Sequence, residues 1–144
     1  MNAKATPAFL LILLISCSSN PTPDRHAAIA DKNLEKPGSP YHWQSTKAAN
    51  DVTFLQRELI GKPTKTAADV QLAGDIGAMI AQKEAKFGGA PTPRVLETRL
   101  VSTTPKETRE IWSVTRGEKR IAYVVFFPQS DKGGTDFGVD GPWE

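Results

Sequence analysis

The stretch that decides the fold runs from Thr108 to Phe127 and reads TREIWSVTRGEKRIAYVVFF. The segments on both sides of Arg116-Gly117-Glu118 have the composition of β-strands, and the second, Lys119 to Phe127, is the more apolar of the two. We therefore predict strands over residues 108–115 and 119–127. A tight hairpin joins them, in which Gly117 supplies a positive φ.

The second of these strands carries apolar residues on both of its faces. Ile121 and Tyr123 point to one side, whereas Ala122 and Val124 point to the other. A strand that is apolar on both sides belongs in the middle of a covered sheet. In residues 94–102, polar and apolar residues alternate, which predicts a further strand. Residues 135–139 predict a short edge strand.

Two upstream segments have the spacing of amphipathic helices. Apolar residues recur every three or four positions in residues 46–60 and again in residues 67–87. Gly61 and Gly88 follow these segments, as glycine often does at a helix end. The sequence thus predicts one α+β domain over residues 41–144, with two N-terminal helices packed on a small antiparallel sheet of three to four strands.

The segment before this domain is poor in large apolar residues. Residues 18–40 contain four of the eleven prolines. Such a segment buries too little surface to offset the entropy of ordering, so we predict a disordered tether over residues 17–40. The aromatic residues 41–43 then either pack on the edge of the domain or form a contact site.

The start of the chain has the layout of a secretory signal peptide. A polar beginning with Lys4 precedes the apolar run Ala8–Ile15, and the small residue Ser16 follows. The run has fewer than the roughly 20 residues that a membrane-spanning helix needs. We therefore predict a signal peptide over residues 1–16.

Leu14-Ile15-Ser16-Cys17 resembles the lipobox of bacterial lipoproteins. The resemblance implies cleavage between Ser16 and Cys17 and diacylglycerol on the Cys17 thiol. The new amino group is then acylated, with palmitate as the typical chain. Ser18, where an Asp favours retention in the inner membrane, implies the periplasmic face of the outer membrane instead. The alternative is an ordinary signal peptide followed by a chance cysteine.

Charge and cysteine content exclude some classes of protein. The chain has 18 basic and 16 acidic residues and a net charge of +2, so nothing in its overall charge calls for nucleic acid. Cys17 is the single cysteine, which excludes a disulfide within the chain. Residues 94–120 have a local basic excess, which indicates either a solvated strand face or an anionic partner in the envelope.

The sequence contains no pattern typical of an enzyme or of a metal protein. Both histidines, His26 and His42, lie at or before the start of the domain, and an acylated Cys17 is no nucleophile. Asp131, Asp136 and Asp140 lie among glycines, but their spacing does not match a calcium loop, so a solvated turn is favoured. We therefore expect no metal, no cofactor and no catalytic residue.

These observations favour a protein that binds another protein at a membrane. Small size, a lipobox and the lack of catalytic motifs are similar to those of periplasmic immunity proteins, which imply a secreted toxin as the partner. The candidate contacts are the hairpin tip and the acidic tail: Arg116, Gly117, Glu118, Asp136 and Asp140. The alternative is a structural or assembly lipoprotein that contacts peptidoglycan or an outer-membrane complex, and an enzyme based on carboxylates is a third hypothesis.

Overall fold

The computed structural model describes residues 23–47, 52–129 and 136–144. The chain divides into two compact units, Met1–Leu59 and Ile60–Glu144. The predicted signal peptide, with Ser16 and Cys17 at its cleavage site, lies outside the described residues. In the part of the chain that is described, no helix is long and apolar enough to cross a membrane.

In the first unit, the described residues form one helix and one pair of antiparallel strands. The elements are α1 (Pro23–Leu34), β1 (Tyr41–Lys47) and β2 (Thr53–Leu59). The two strands pair antiparallel from Tyr41 opposite Leu59 to Lys47 opposite Thr53. Ala30 of the helix and Trp43 and Leu59 of the hairpin are the buried apolar residues among those described in this unit.

Polar contacts fasten α1 to the hairpin. The backbone N–H of Trp43 donates to Oδ1 of Asp31 at 2.6 Å. Glu35, just past the helix, accepts two hydrogen bonds from the guanidinium of Arg57 at 2.5 and 3.0 Å and one from the Ser39 hydroxyl at 2.6 Å. The Arg57 guanidinium also stacks on the ring of Tyr41, 3.7 Å from its centroid.

The predicted helix over residues 46–60 is wrong, because this part of the chain contains β2. In β2, Leu55, Arg57 and Leu59 alternate with the more exposed Phe54 and Gln56, which is the period of a strand. The charged Arg57 occupies an inward position and conceals this period in the sequence. It is tolerated there because Glu35 neutralises it.

The segment that we predicted as a disordered tether contains α1. Our prediction counted large apolar residues, but α1 is held by the small Ala30 and by the carboxylate of Asp31. Alanine has the highest helix propensity of all residues, so the run Ala27-Ala28-Ile29-Ala30 favours a helix wherever a partner surface exists. The polar contacts to β1 and β2 supply that surface.

The described part of the second unit, residues 60–129 and 136–144, forms a five-stranded antiparallel sheet with one helix packed on it. Its elements are β3 (Lys62–Pro63), α2 (Val70–Ala85), β4 (Val95–Thr103), β5 (Glu107–Arg116), β6 (Lys119–Pro128) and β7 (Gly138–Trp143). The strands lie in the order β3-β4-β5-β6-β7, so each strand after β3 pairs with the one before it along the chain.

Helix α2 covers the middle of this sheet. Asp69 caps its first turn by accepting a hydrogen bond from the backbone N–H of Leu72 at 2.8 Å. Residues four positions apart on the helix face the sheet and pack on the central strands β5 and β6. The buried cluster is Leu72, Ile76, Ile80, Trp112, Val114, Ile121, Tyr123 and Val125.

The predicted fold class is wrong. We expected an α+β domain with two N-terminal helices on three to four strands. The described residues are instead mostly β, with 45% in strands and two antiparallel sheets of two and five strands. The error arises from β1, β2 and β3, which the sequence analysis either missed or assigned to a helix.

Several predicted elements are confirmed within the second unit. Helix α2 falls inside the predicted range 67–87, and β4, β5 and β6 match the three predicted strands within one or two residues. The edge strand is β7 (Gly138–Trp143), a few residues later than the predicted 135–139.

Candidate functional site

The β5–β6 hairpin, predicted as a contact site, ends in a two-residue turn. Arg116 pairs with Lys119 across the strands, and Gly117 and Glu118 form the exposed tip. Gly117 has a φ of 59°, the left-handed conformation that this turn requires and that glycine adopts without strain. The predicted turn and the role of Gly117 in it are therefore confirmed.

Arg116 is fixed in place and is largely removed from solvent. Its Nε and Nη2 donate to the two carboxylate oxygens of Glu84 at 2.7 and 2.8 Å, and its Nη1 donates to Glu144 at 2.6 Å. Only 13% of its side-chain surface is exposed. We expected Arg116 to reach a partner directly, but the structure uses its charge internally.

Glu84 is the centre of this arrangement. It is fully buried at the last turn of α2 and accepts a further hydrogen bond of 2.5 Å from the Tyr123 hydroxyl. The hydrogen bonds from Arg116 lower the pKa of the Glu84 carboxyl below its usual value, an effect that outweighs burial. Burial and the bond to Glu84 raise the pKa of Tyr123. Glu84 and Arg116 thus form an ion pair that is largely shielded from solvent.

Phe87 is the residue at this position that the sequence analysis missed. Its ring stacks on the guanidinium of Arg116, with 4.7 Å between Cζ and the ring centroid. The stacked side chain remains 54% exposed. In the sequence, Phe87 is only the last residue of the predicted helix over residues 67–87. The stack arises from a tertiary contact that no local spacing predicts.

Further exposed residues lie around this stack. Val95, at the start of β4, pairs with Val114 near the end of β5, and both Val95 and Leu96 are about two-fifths exposed. We call this region the hairpin end and define it by its residues: Lys86, Phe87, Arg94, Val95, Leu96, Arg116, Gly117, Glu118, Lys119 and Glu144. Antiparallel pairing brings together the residues of β4, β5 and β6, because β4 starts, β5 ends and β6 starts there. Phe87 reaches the same place through its stack on Arg116, and Glu144 through its ion pairs with Arg116 and Lys119.

The hairpin end is more basic than acidic at its surface. Lys86, Arg94 and Glu118 are exposed and form no ion pair with any described residue. Lys119 shares Glu144 with Arg116, at 3.3 Å. An exposed aromatic ring with cations at its margin is therefore the main chemical feature of this surface.

The two candidate aspartates do not belong to the hairpin end. Asp140 is exposed on the edge strand β7, opposite Val124 in the middle of β6. Asp136 is exposed and precedes Gly138, which pairs with Phe126 near the far end of β6. Seven residues along a strand span about 23 Å, so Asp136 is separated from the hairpin tip by the length of the sheet. The five predicted contacts therefore do not form one surface.

Two other carboxylates serve the structure in the same way as Glu84. Glu110 is almost fully buried and accepts hydrogen bonds from the Thr66 hydroxyl, the Ala67 N–H and the indole N–H of Trp112, at 2.7, 2.7 and 2.9 Å. It thereby fixes the loop that leads into α2. In the first unit, hydrogen bonds from Arg57 lower the pKa of Glu35.

Within the described ranges, no group of three or more His, Cys, Asp and Glu side chains is placed to hold a metal ion. No protein family, curated protein or solved structure matches this chain. The geometry of the hairpin end and the sequence of the first 17 residues are therefore the basis for assigning a function.

Proposed function

We propose that this chain is a membrane-anchored, non-catalytic lipoprotein that binds another protein on the periplasmic side of the outer membrane. In this proposal the hairpin end of the second unit is the binding surface. The observation that carries it is the exposed ring of Phe87, stacked on an arginine that three carboxylate hydrogen bonds hold in place.

A fixed aromatic side chain is well suited to binding a protein. Aromatic residues and arginine dominate the binding energy of protein interfaces, usually where they fill a pocket in the partner. Ordering a side chain on binding costs about 0.5–1.5 kcal/mol, and the stack on Arg116 removes part of that cost for Phe87 beforehand. Val95 and Leu96, at the same end of the sheet, are further exposed apolar residues.

The state of the buried acids supports binding rather than catalysis. General acid–base chemistry needs a carboxyl group that reaches the substrate. Glu84 and Glu110 are both inaccessible and each accepts three hydrogen bonds from the protein itself. Their charges stabilise the fold, and the accessible groups at the hairpin end are those of a contact surface.

The membrane anchor in this proposal is lipid on Cys17. We expect radioactive palmitate to label the wild-type protein and not a Cys17→Ser variant. We also expect the variant to leave the membrane fraction when cells are broken in high salt. If Cys17→Ser fractionates with membranes as wild type does under that condition, the anchoring part of the proposal is wrong.

The partner is tested by crosslinking from the hairpin end. A photoreactive amino acid at position 118, in the exposed turn two residues after Arg116 and outside the stack, should give one stoichiometric crosslinked protein in the periplasm. The same amino acid at exposed Lys65 is the matched control and should give none. Phe87→Ser should abolish the crosslink, whereas Val70→Ser, at a residue that is 93% exposed elsewhere on the unit, should preserve it.

The identity of the crosslinked protein separates the specific versions of this function. A secreted toxin, inhibited by this chain in an activity assay, supports an immunity protein. An envelope protein supports the assembly alternative, and the version that contacts peptidoglycan requires the protein to sediment with purified wall. Protein binding at the hairpin end is refuted if no partner is crosslinked at position 118. It is also refuted if a partner is crosslinked but Phe87→Ser leaves the yield of that crosslink unchanged.

A further inference from the structure

The charges of α1 in the first unit are divided between its two sides. Asp31 and Glu35 turn toward the hairpin, where the Trp43 N–H and the Arg57 guanidinium are their partners. Lys32 on the helix and Lys36, two residues past its end, are exposed, as is Arg25 near the helix start. Glu35 is therefore neutralised by Arg57 and Asp31 is turned toward a backbone N–H within the unit, whereas the cations face outward.

Exposed apolar side chains accompany these cations. Ile29 lies between Arg25 and Lys32 at spacings of four and three residues, so the three share one face of the helix. Ile29 is 47% exposed on this face, and Leu34, at the end of the helix but on another side of it, is 52% exposed. Basic residues combined with exposed aliphatic ones are the composition of helices that lie on lipid surfaces.

We propose that this face of α1 rests on an anionic phospholipid surface and acts as a second membrane contact beside the lipid on Cys17. Five residues separate Cys17 from Pro23, and a fully extended segment of that length spans about 20 Å. A lipidated Cys17 would thus keep α1 close to the bilayer. Cations near an anionic membrane are attracted to it, and each contributes roughly a fivefold increase in binding.

The inference rests on the proposed membrane attachment, but its test does not use the lipid. The full chain with Cys17→Ser is mixed with vesicles of phosphatidylcholine alone, or of phosphatidylcholine and phosphatidylglycerol in equal parts, and sedimented. Residues 1–16 are present in every sample. The ratio of binding between the two kinds of vesicle is therefore the quantity to measure.

We expect stronger binding to the phosphatidylglycerol vesicles, which added salt weakens. In the same background, Lys32→Glu with Lys36→Glu should reduce this preference by at least about tenfold. The matched control is Lys65→Glu with Lys106→Glu, which makes the same change in net charge at exposed positions of the second unit. This control should bind the phosphatidylglycerol vesicles much more strongly than the Lys32→Glu, Lys36→Glu variant does.

Two further variants test whether the loss of binding comes from misfolding or from charge alone. Lys32→Gln with Lys36→Gln, which removes charge without adding acids, should give an intermediate preference. Ile29→Ser should weaken binding where Val70→Ser does not. Equal binding to both kinds of vesicle, or equal losses in the α1 and control variants, would overturn the inference and leave the proposed binding at the hairpin end unaffected.

Discussion

At the scale of single residues, Glu84 is the side chain on which the hairpin end most depends. It is fully buried and pairs with Arg116 through two hydrogen bonds. Removing one partner from a buried ion pair leaves a charge without compensation and typically costs 3–5 kcal/mol. The ion pair with Glu84 therefore holds Arg116 in position, and Arg116 in turn positions the ring of Phe87.

We predict that Glu84→Gln lowers the free energy of unfolding by about 3 kcal/mol, because Arg116 then lacks a buried counter-charge. Urea unfolding followed by tryptophan fluorescence measures this change. Glu107→Gln is the control, since Glu107 pairs with Arg109 on an exposed part of β5 and such pairs contribute about 1 kcal/mol or less. Equal losses in the two variants would contradict the importance of the buried pair.

Stability should also depend on pH through the same carboxylates. The pKa values of Glu84 and Glu35 are lowered from the ordinary value of 4.5, so the unfolded chain takes up these protons first as the pH falls. Their contribution is complete above about pH 4.5 and is lost as the pH falls through the lower folded values. We predict that unfolding experiments between about pH 6 and pH 3 show a steeper loss for wild type than for Glu84→Gln. Parallel curves would contradict the lowered pKa of Glu84.

At the scale of elements, the strands with their own alternation were predictable and those that depend on distant partners were not. Helix α2 and strands β4 to β6 carry apolar periods that agree with their final packing. In β2, by contrast, the inward Arg57 needs Glu35, which lies 22 residues earlier. The two-residue strand β3 is too short for any period, and it forms because β4 offers it an edge.

The same limit applies to the candidate site. Gly117 was recognised because a two-residue hairpin needs a positive φ, which is a local property. The stack of Phe87 on Arg116 joins residues 29 positions apart in the sequence and depends on Glu84 as a third partner. Neither the pairing nor the burial of Arg116 follows from the residues around it.

Substitution of Gly61 tests the pairing of β3 with β4, because Gly61 directly precedes β3 at the point where the chain approaches β4 closely. Its φ is 79°, and an added Cβ would lie 2.6 Å from the carbonyl oxygen of Leu100. We predict that Gly61→Ala lowers the free energy of unfolding by about 2 kcal/mol, since backbone must shift to accommodate the methyl group.

Gly74 on α2 is the matched control for that substitution. It is exposed, and nothing lies within 4 Å of the position of an added Cβ. Alanine is the better helix former by about 0.5–1 kcal/mol, so Gly74→Ala should raise the free energy of unfolding by roughly that amount. The two substitutions are chemically identical, so opposite signs in urea unfolding would confirm the close approach at Gly61. A gain in stability at both positions would contradict it.

At the scale of the whole molecule, the two units offer surfaces of different kinds. The first unit presents cations and aliphatic residues on α1, close along the chain to Cys17. The second unit presents an aromatic ring on a fixed arginine. Our two proposals assign lipid to the first surface and a protein to the second. Ile29→Ser should therefore weaken binding to anionic vesicles, whereas Phe87→Ser should weaken crosslinking to the protein partner.

The destination of the proposed lipoprotein is testable at the residue that follows the lipid. The resemblance to lipoproteins implies that Ser18 permits transfer to the outer membrane, whereas an Asp at that position favours retention in the inner one. We predict that Ser18→Asp moves the protein from the outer- to the inner-membrane fraction of a sucrose gradient, with palmitate labelling unchanged. Ser19→Asp adds the same charge one residue further on and should leave most of the protein in the outer membrane. Equal distributions for wild type and Ser18→Asp would contradict the proposed outer-membrane location, because position 18 would then have no influence on sorting.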